Sequence, residues 1–185
     1  GRMSKASQIV ILCEDRAHEL FAKRFLTKEW GVKHRAIRVL PYPNGMGSGK
    51  KYVKDNLSRE VEALRRRHAS TILVVLQDAD EFSVDRIKSE LDAELRSPRG
   101  DNEPIVYIIP RWHIQTWMAY LDGKNVDETN KESYQSAYGK ISESKDAHVF
   151  IDKLASDCRN NKQLESPPES LVAACAEFDR IRRLL

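Results

Sequence analysis

Two apolar runs of this chain end in acid. Glu14 closes Gln8-Ile-Val-Ile-Leu-Cys13, and Asp78-Ala79-Asp80 follows the run from Thr71 to Leu76. Mg²⁺ takes oxygen ligands, using one or two carboxylates and keeping water or phosphate oxygens in its other positions. In extended backbone residues i and i+2 project to one side, so Asp78 and Asp80 would converge while Ala79 leaves room. Carboxylates that close repel one another until a cation joins them. The expected chemistry is a Mg²⁺ site, with Mn²⁺ as a substitute, held by Asp78, Asp80 and Glu14. A plainer use exists for single acids in such places, since Asp15 and Asp80 could each cap a helix. The pairing of Glu14 with an Asp-x-Asp is harder to assign to capping alone.

The basic residues offer a complementary function. From Lys50 to Arg67 there are seven cations against three acids, a local excess of +4. Lys50, Lys51 and Lys54 open this stretch directly after the glycine-rich segment Asn44-Gly-Met-Gly-Ser-Gly49. That segment lacks the first glycine of a nucleotide-binding phosphate loop, and no Ser or Thr follows Lys50. A mobile basic loop gripping a nucleic-acid backbone through amides and lysines fits the pattern better. Arg65-Arg66-Arg67 has a simpler reading, as cations at a helix C-terminus.

These groups must be positioned by elements legible in the pattern. Gln8 to Cys13 and Thr71 to Leu76 are β-branched and continuously apolar, as in strands buried on both faces. A weaker strand is expected at Arg35–Leu40 and a fourth apolar strand, closed by Pro110, at Ile105–Ile109. Helical spacing appears after each strand: Ala17, Leu20, Phe21 and Phe25; Val53, Leu57, Val61 and Leu64, in a helix from Lys51 to about His68; Val84, Ile87, Leu91 and Leu95; then Ile114, Trp117, Met118 and Leu121. This order predicts an α/β fold with a mostly parallel four-stranded sheet flanked by helices, with its active site at the carboxyl ends of the strands. Residues 1–121 would form that domain. Residues 122–185 would pack on it as a polar loop or marginal helix, Asp122 to Ser144, followed by C-terminal helices near 147–160 and 169–185.

With 41% hydrophobic and 32% charged residues the chain has the composition of a globular protein. No apolar stretch reaches the roughly 20 residues of a membrane helix. Residues 1–7 carry no apolar signal segment, so a cytoplasmic location is expected. Cys13, Cys158 and Cys175 are odd in number and lack Cys-x-x-Cys spacing; reduced, structural cysteines are expected rather than a disulfide or zinc framework. A net charge of +3 does not by itself specify a partner.

Over residues 8–121 the order Ile-Leu-Cys-Glu14, helix, strand, glycine-rich loop, helix, Val-Val-Leu-Gln-Asp78-Ala-Asp80 resembles the Toprim domain family. That family is shared by primases, type IA and type II topoisomerases and nucleases of the overcoming-lysogenization-defect type. The resemblance implies a Rossmann-like Toprim sheet, with Glu14 as general acid or base and Asp78 with Asp80 as Mg²⁺ ligands. Asp15 and Ser83 stand where primases and topoisomerases usually have glycine, and Glu81 is one place early for an extra type IA acid. These departures point to the small standalone Toprim-like nuclease branch, linked to phage defence or mobile elements. Pro110 to Trp117 resembles a Pro-x-x-x-Ile-Glu-x-Trp feature of such proteins, with Gln115 in place of the acid, which implies a one-metal or inactive site.

The function expected is Mg²⁺-dependent phosphoryl transfer on DNA or RNA, most simply a nuclease, with a protein partner if the chain serves a multi-component system. Glu14 would move the proton, while Arg111, His113, Lys50 or Lys51 would neutralise charge on the phosphate. Trp112 could stack on a base. Two other readings stay open: a non-catalytic nucleic-acid-binding or partner module on the same scaffold, and a receiver-like domain that accepts phosphate at Asp78.

Overall fold

The computed structural model describes residues 5–45, 47–67 and 70–185. Residues 1–4, Met46 of the glycine-rich loop and the helix end expected at His68 lie outside the described residues. The sheet consists of β1 (Gln8–Leu12), β2 (Ile37–Val39), β3 (Thr71–Leu76) and β4 (Ile105–Ile108). Their order is β2-β1-β3-β4 and every pairing is parallel. The protein is α/β with a Rossmann-like sheet, all-parallel where a mostly parallel one was expected.

Strand alternation divides the core into two layers. Ile9, Ile11, Ile72, Val74, Leu76, Val106 and Ile108 face one side, where they meet Phe21 and Phe25 of α1 (Arg16–Lys28) and Trp117 of α4 (Ile114–Leu121). Val10, Leu12, Leu73, Val75, Ile105 and Tyr107 face the other side, against α2 (Gly49–Arg66) and α3 (Val84–Ala93). Because both faces are covered, β1 and β3 show no polar alternation in sequence. α3 begins at Ser83, whose hydroxyl accepts the Arg86 N–H. Asp80 is therefore not the cap of this helix, whereas Asp15 does cap α1 by accepting the His18 N–H.

The C-terminal third is helical and shares the first core. It comprises α5 (Gln135–Ser142), α6 (His148–Arg159) and α7 (Glu169–Asp179). α5 falls within the segment expected to be a loop or marginal helix, and the burial of Tyr138 against Phe150 of α6 anchors it. Phe178 of α7 stacks on Phe25 of α1 at 4.1 Å between ring centroids. The Cα atoms of Cys158 in α6 and Cys175 in α7 stand 5.3 Å apart, and the two form a disulfide. The expectation of reduced cysteines is corrected by a tertiary approach that spacing of 17 residues does not reveal. Cys13 is free and buried. Among the described residues no helix is long and apolar enough to cross a membrane.

Candidate active site at the acidic edge

Glu14 and Asp78 project from the carboxyl ends of the two central strands, β1 and β3, which lie side by side. Glu14 Oε2 accepts the Asp78 N–H at 2.7 Å, closing 64 residues of chain into one contact. The helix that follows β1 brings a third group. His18, four residues past Glu14 and fully buried, lies with Nε2 2.9 Å from Asp78 Oδ1. The Glu14 N–H points at the other ring nitrogen, Nδ1, at 3.4 Å. Glu14, His18 and Asp78 each offer a donor atom within 4.8 Å of the others.

Asp80 is placed differently from the i, i+2 expectation. Its φ is +51°, so the extended backbone on which that convergence depended has ended. Its carboxylate pairs with the Lys50 ammonium at 3.0 Å, and the same ammonium lies 3.5 Å from Glu14 Oε1. Lys50 thus sits on the acidic edge as its resident cation. Of the other lysines nominated for nucleic acid, Lys51 pairs with Asp55 at 3.2 Å and Lys54 with Glu90 at 3.5 Å. Such surface pairs contribute about 0–1 kcal/mol.

The Asp80 turn is fastened to the loop that follows β4. Ala79 donates its N–H to the Pro110 carbonyl at 2.8 Å, and Trp112 donates to the Asp80 carbonyl at 3.1 Å. Trp112 itself has a φ of +62°, a conformation costing on the order of 1–3 kcal/mol in a bulky residue. Arg111 reaches back with Nε to the Asp80 carbonyl at 3.0 Å and with a terminal nitrogen to the Glu81 carbonyl at 2.7 Å. Its guanidinium clamps the turn. His113 is buried beside Asp78 and Asp80, its Nδ1 has no partner, and burial lowers its pKa. Gln115 donates to the Ser142 hydroxyl at 3.0 Å, tying α4 to α5. Trp117 is wholly buried. The Trp112 indole N–H donates to the Glu128 carbonyl, and its ring lies 5.6 Å from the Arg111 guanidinium carbon and 5.8 Å from the Lys131 ammonium.

A cavity of about 300 Å³ opens beside Arg111, but Asp85, Asp127, Glu128 and Glu169 line it. That concentration of acid disfavours a phosphate backbone in this cavity.

Two residues packed against this edge are not among those the motif points to. His18 lies on the inward stripe with Ala17, Phe21 and Phe25, and the available signal was its position one helical turn past Glu14. Gly49 packs so tightly that a Cβ would stand 2.7 Å from Glu14 Cβ and 2.8 Å from the Glu14 carbonyl oxygen. Gly→Ala inside a helix ordinarily gains roughly 0.5–1 kcal/mol, whereas overpacking against backbone costs about 1–3 kcal/mol. The clash wins at this site. Gly49→Ala is expected to lower thermal stability, while Gly139→Ala in α5, whose Cβ would meet nothing within 4 Å, is expected to raise it. Paired melting curves check both signs.

The electrostatics follow from this crowding. Burial and the adjacent Asp78 charge lift the Glu14 carboxyl to about 7, against the pull of His18, Lys50 and the Asp78 N–H. At His18 burial opposes the charged form, but the Asp78 carboxylate outweighs it and raises the pKa to about 9. Burial likewise opposes the Lys50 charge, and Glu14 with Asp80 more than restores it. The two raised values have the same consequence. Each group contributes stability that is complete below its unfolded-state pKa and is lost as pH rises through its folded one. The metal-free protein is therefore expected to lose stability between about pH 4.5 and 9, first through Glu14 and then through His18. Chemical denaturation at successive pH values checks the sign.

Comparison of the chain with protein-family models, curated proteins and solved structures gives no match.

Proposed function

We propose that this chain is a divalent-metal-dependent phosphoryl-transfer enzyme acting on nucleic acid, most simply a nuclease. The observation that carries the reading is the Glu14–Asp78 contact across the ends of β1 and β3, with His18, Lys50 and Asp80 gathered around it. It stands where functional sites of parallel α/β sheets form. The motif order resembling the Toprim family, and its standalone nuclease branch linked to phage defence or mobile elements, supports the same reading.

The residues suit a hard cation. Three carboxylates stand at one edge, and the Glu14 carboxyl is lifted by burial and then by the adjacent Asp78 charge, a repulsion that a cation relieves. Asp78, Glu14 and Asp80 would hold Mg²⁺ or Mn²⁺, whose chemistry when bound is polarisation of a phosphoryl oxygen. Glu14, at the end of β1 beside Asp78, is placed to take a proton from an attacking water. Lys50 leaves the carboxylates for the phosphate and offsets the charge that develops there. Arg111 acts by holding the Asp80 turn.

One observation favours the binding-module alternative: Lys50 already neutralises Glu14 and Asp80 without a metal. Purified protein incubated with single- and double-stranded DNA and RNA separates the readings. Cleavage that needs Mn²⁺ or Mg²⁺ supports the enzyme; binding with no cleavage under either metal supports the module. Label transferred from a small acyl phosphate to Asp78 would instead make this a receiver.

A further inference from the structure

We propose that His18 is the positioning residue for Asp78, fixing one carboxylate oxygen so that the other is free to serve a cation. This rests on the metal-site reading above and assigns to it a residue that the acidic motif does not contain.

A closed ring of hydrogen bonds carries the inference. Asp15 Oδ1 accepts the His18 backbone N–H at 3.0 Å, which seats the first turn of α1. The Glu14 N–H lies 3.4 Å from Nδ1. Nε2–H donates to Asp78 Oδ1 at 2.9 Å. Asp78 completes the ring by donating its own N–H to Glu14 Oε2. Two of these contacts, His18 to Asp78 and Asp78 to Glu14, join the end of β1 to the end of β3, and the imidazole is the rigid spacer between them.

The direction of the Nε2 bond decides between two roles for His18. A metal ligand must present a bare nitrogen. If Nε2 were bare, the neutral ring would carry its proton on Nδ1, facing the Glu14 N–H donor-to-donor. Nε2 is thus the donor in the neutral ring that the Glu14 amide favours, and it is a donor equally in the imidazolium, which carries a proton on both nitrogens, so His18 supports a ligand in either state. Direct contact with a substrate is also closed to it, because the side chain has no exposure. Asp78 Oδ2 differs from Oδ1. Among the described residues it has no hydrogen-bond partner, yet it is not one of the buried unpartnered atoms, and the Asp78 side chain retains 14% exposure. The oxygen left over is the one open to a cation.

Hydrogen-bonded supports of metal-binding carboxylates change affinity by about 10–100-fold when removed. Mn²⁺ binding to the full chain, followed by electron paramagnetic resonance and calorimetry, tests the role without requiring turnover. His18→Leu fills the space without a donor and is expected to weaken Mn²⁺ binding by about 10–100-fold. His18→Gln places an amide N–H near the Nε2 position and is expected to restore affinity to within a few-fold of wild type. If His18→Leu does not fold by circular dichroism, His18→Asn takes its place, since its shorter amide does not reach Oδ1. Wild-type Mn²⁺ binding left unchanged by the donor-free variant overturns the inference alone, as does a His18→Gln protein that binds no better than His18→Leu. A wild-type protein that takes up no Mn²⁺ overturns the metal reading and this inference together.

Discussion

Asp78→Asn is expected to lower metal-dependent cleavage by about a thousandfold or more while leaving the protein folded. A bound cation polarising a phosphoryl oxygen contributes several kcal/mol to transition-state stabilisation, and about 4 kcal/mol corresponds to three powers of ten in rate. The asparagine amide keeps the volume of Asp78 and an oxygen for the His18 Nε2–H, so the ring of hydrogen bonds persists. It removes the charge that, with burial, lifts the Glu14 carboxyl. At pH 8 the substitution relieves the repulsion on Glu14 but also removes the carboxylate that holds His18 charged, so the metal-free variant is expected to fold while losing the His18 part of the pH dependence. Loss of activity in a protein that keeps the wild-type circular dichroism spectrum marks a functional rather than structural residue. Cleavage within tenfold of wild type would remove Asp78 from the mechanism.

The largest expected stability effect lies far from the acidic edge. Glu177 of α7 is buried and binds the Arg99 guanidinium in two parallel contacts of 2.5 and 2.9 Å. One of its oxygens also accepts the Tyr107 N–H at 2.6 Å. β4 is the last strand of the sheet, so this carboxylate satisfies a backbone donor that would otherwise face an open edge. Arg99 completes the arrangement by donating to the Ile105 carbonyl and lying over the Tyr107 ring. Glu177→Ala strands both the guanidinium and the strand amide. Breaking one partner of a buried pair costs about 3–5 kcal/mol, which for a chain of this size lowers Tm by about 6–20 °C.

The same group has a defined pH signature. Burial raises the Glu177 carboxyl, but the Arg99 contacts, the Tyr107 amide and Lys88 together hold it below the ordinary glutamate value. A depressed folded-state pKa contributes stability that is present above the unfolded value, about 4.5, and lost as pH falls through the folded one. The stability gap between wild type and Glu177→Ala is expected to be constant above about pH 5 and to narrow in acid. A gap independent of pH down to pH 2 would contradict the ion-pair account.

How much of this was legible in sequence depends on where each residue takes its instructions. β1 and β3 were visible because burial on both faces leaves an unbroken apolar run. β2 was blurred because it is a three-residue edge strand with an exposed Arg38 at its centre. α5 stayed undecided between loop and marginal helix because one buried Tyr138 and a buried Ser142 hold it, which gives no apolar stripe to read. Glu14 and Asp78 were found from strand-end position alone. The geometry of Asp80 was not, since a positive φ after Ala79 is imposed by the Trp112 and Arg111 contacts from a loop about 30 residues away. His18 was hidden by its own burial, reading as one more inward position of an amphipathic helix. The roles of Arg111, a clamp on backbone carbonyls, and of Lys50, a cation seated among carboxylates, likewise follow from tertiary contacts.

The most direct test of the acidic edge is a crystal structure of the protein soaked in Mn²⁺, with anomalous scattering measured at the metal's absorption edge. The account predicts an anomalous peak bonded to Asp78 Oδ2 and to Glu14 or Asp80, with the Lys50 ammonium displaced from its bridging position and His18 still on Oδ1. No peak at this edge, with Lys50 still bridging Glu14 and Asp80 at saturating Mn²⁺, would contradict it.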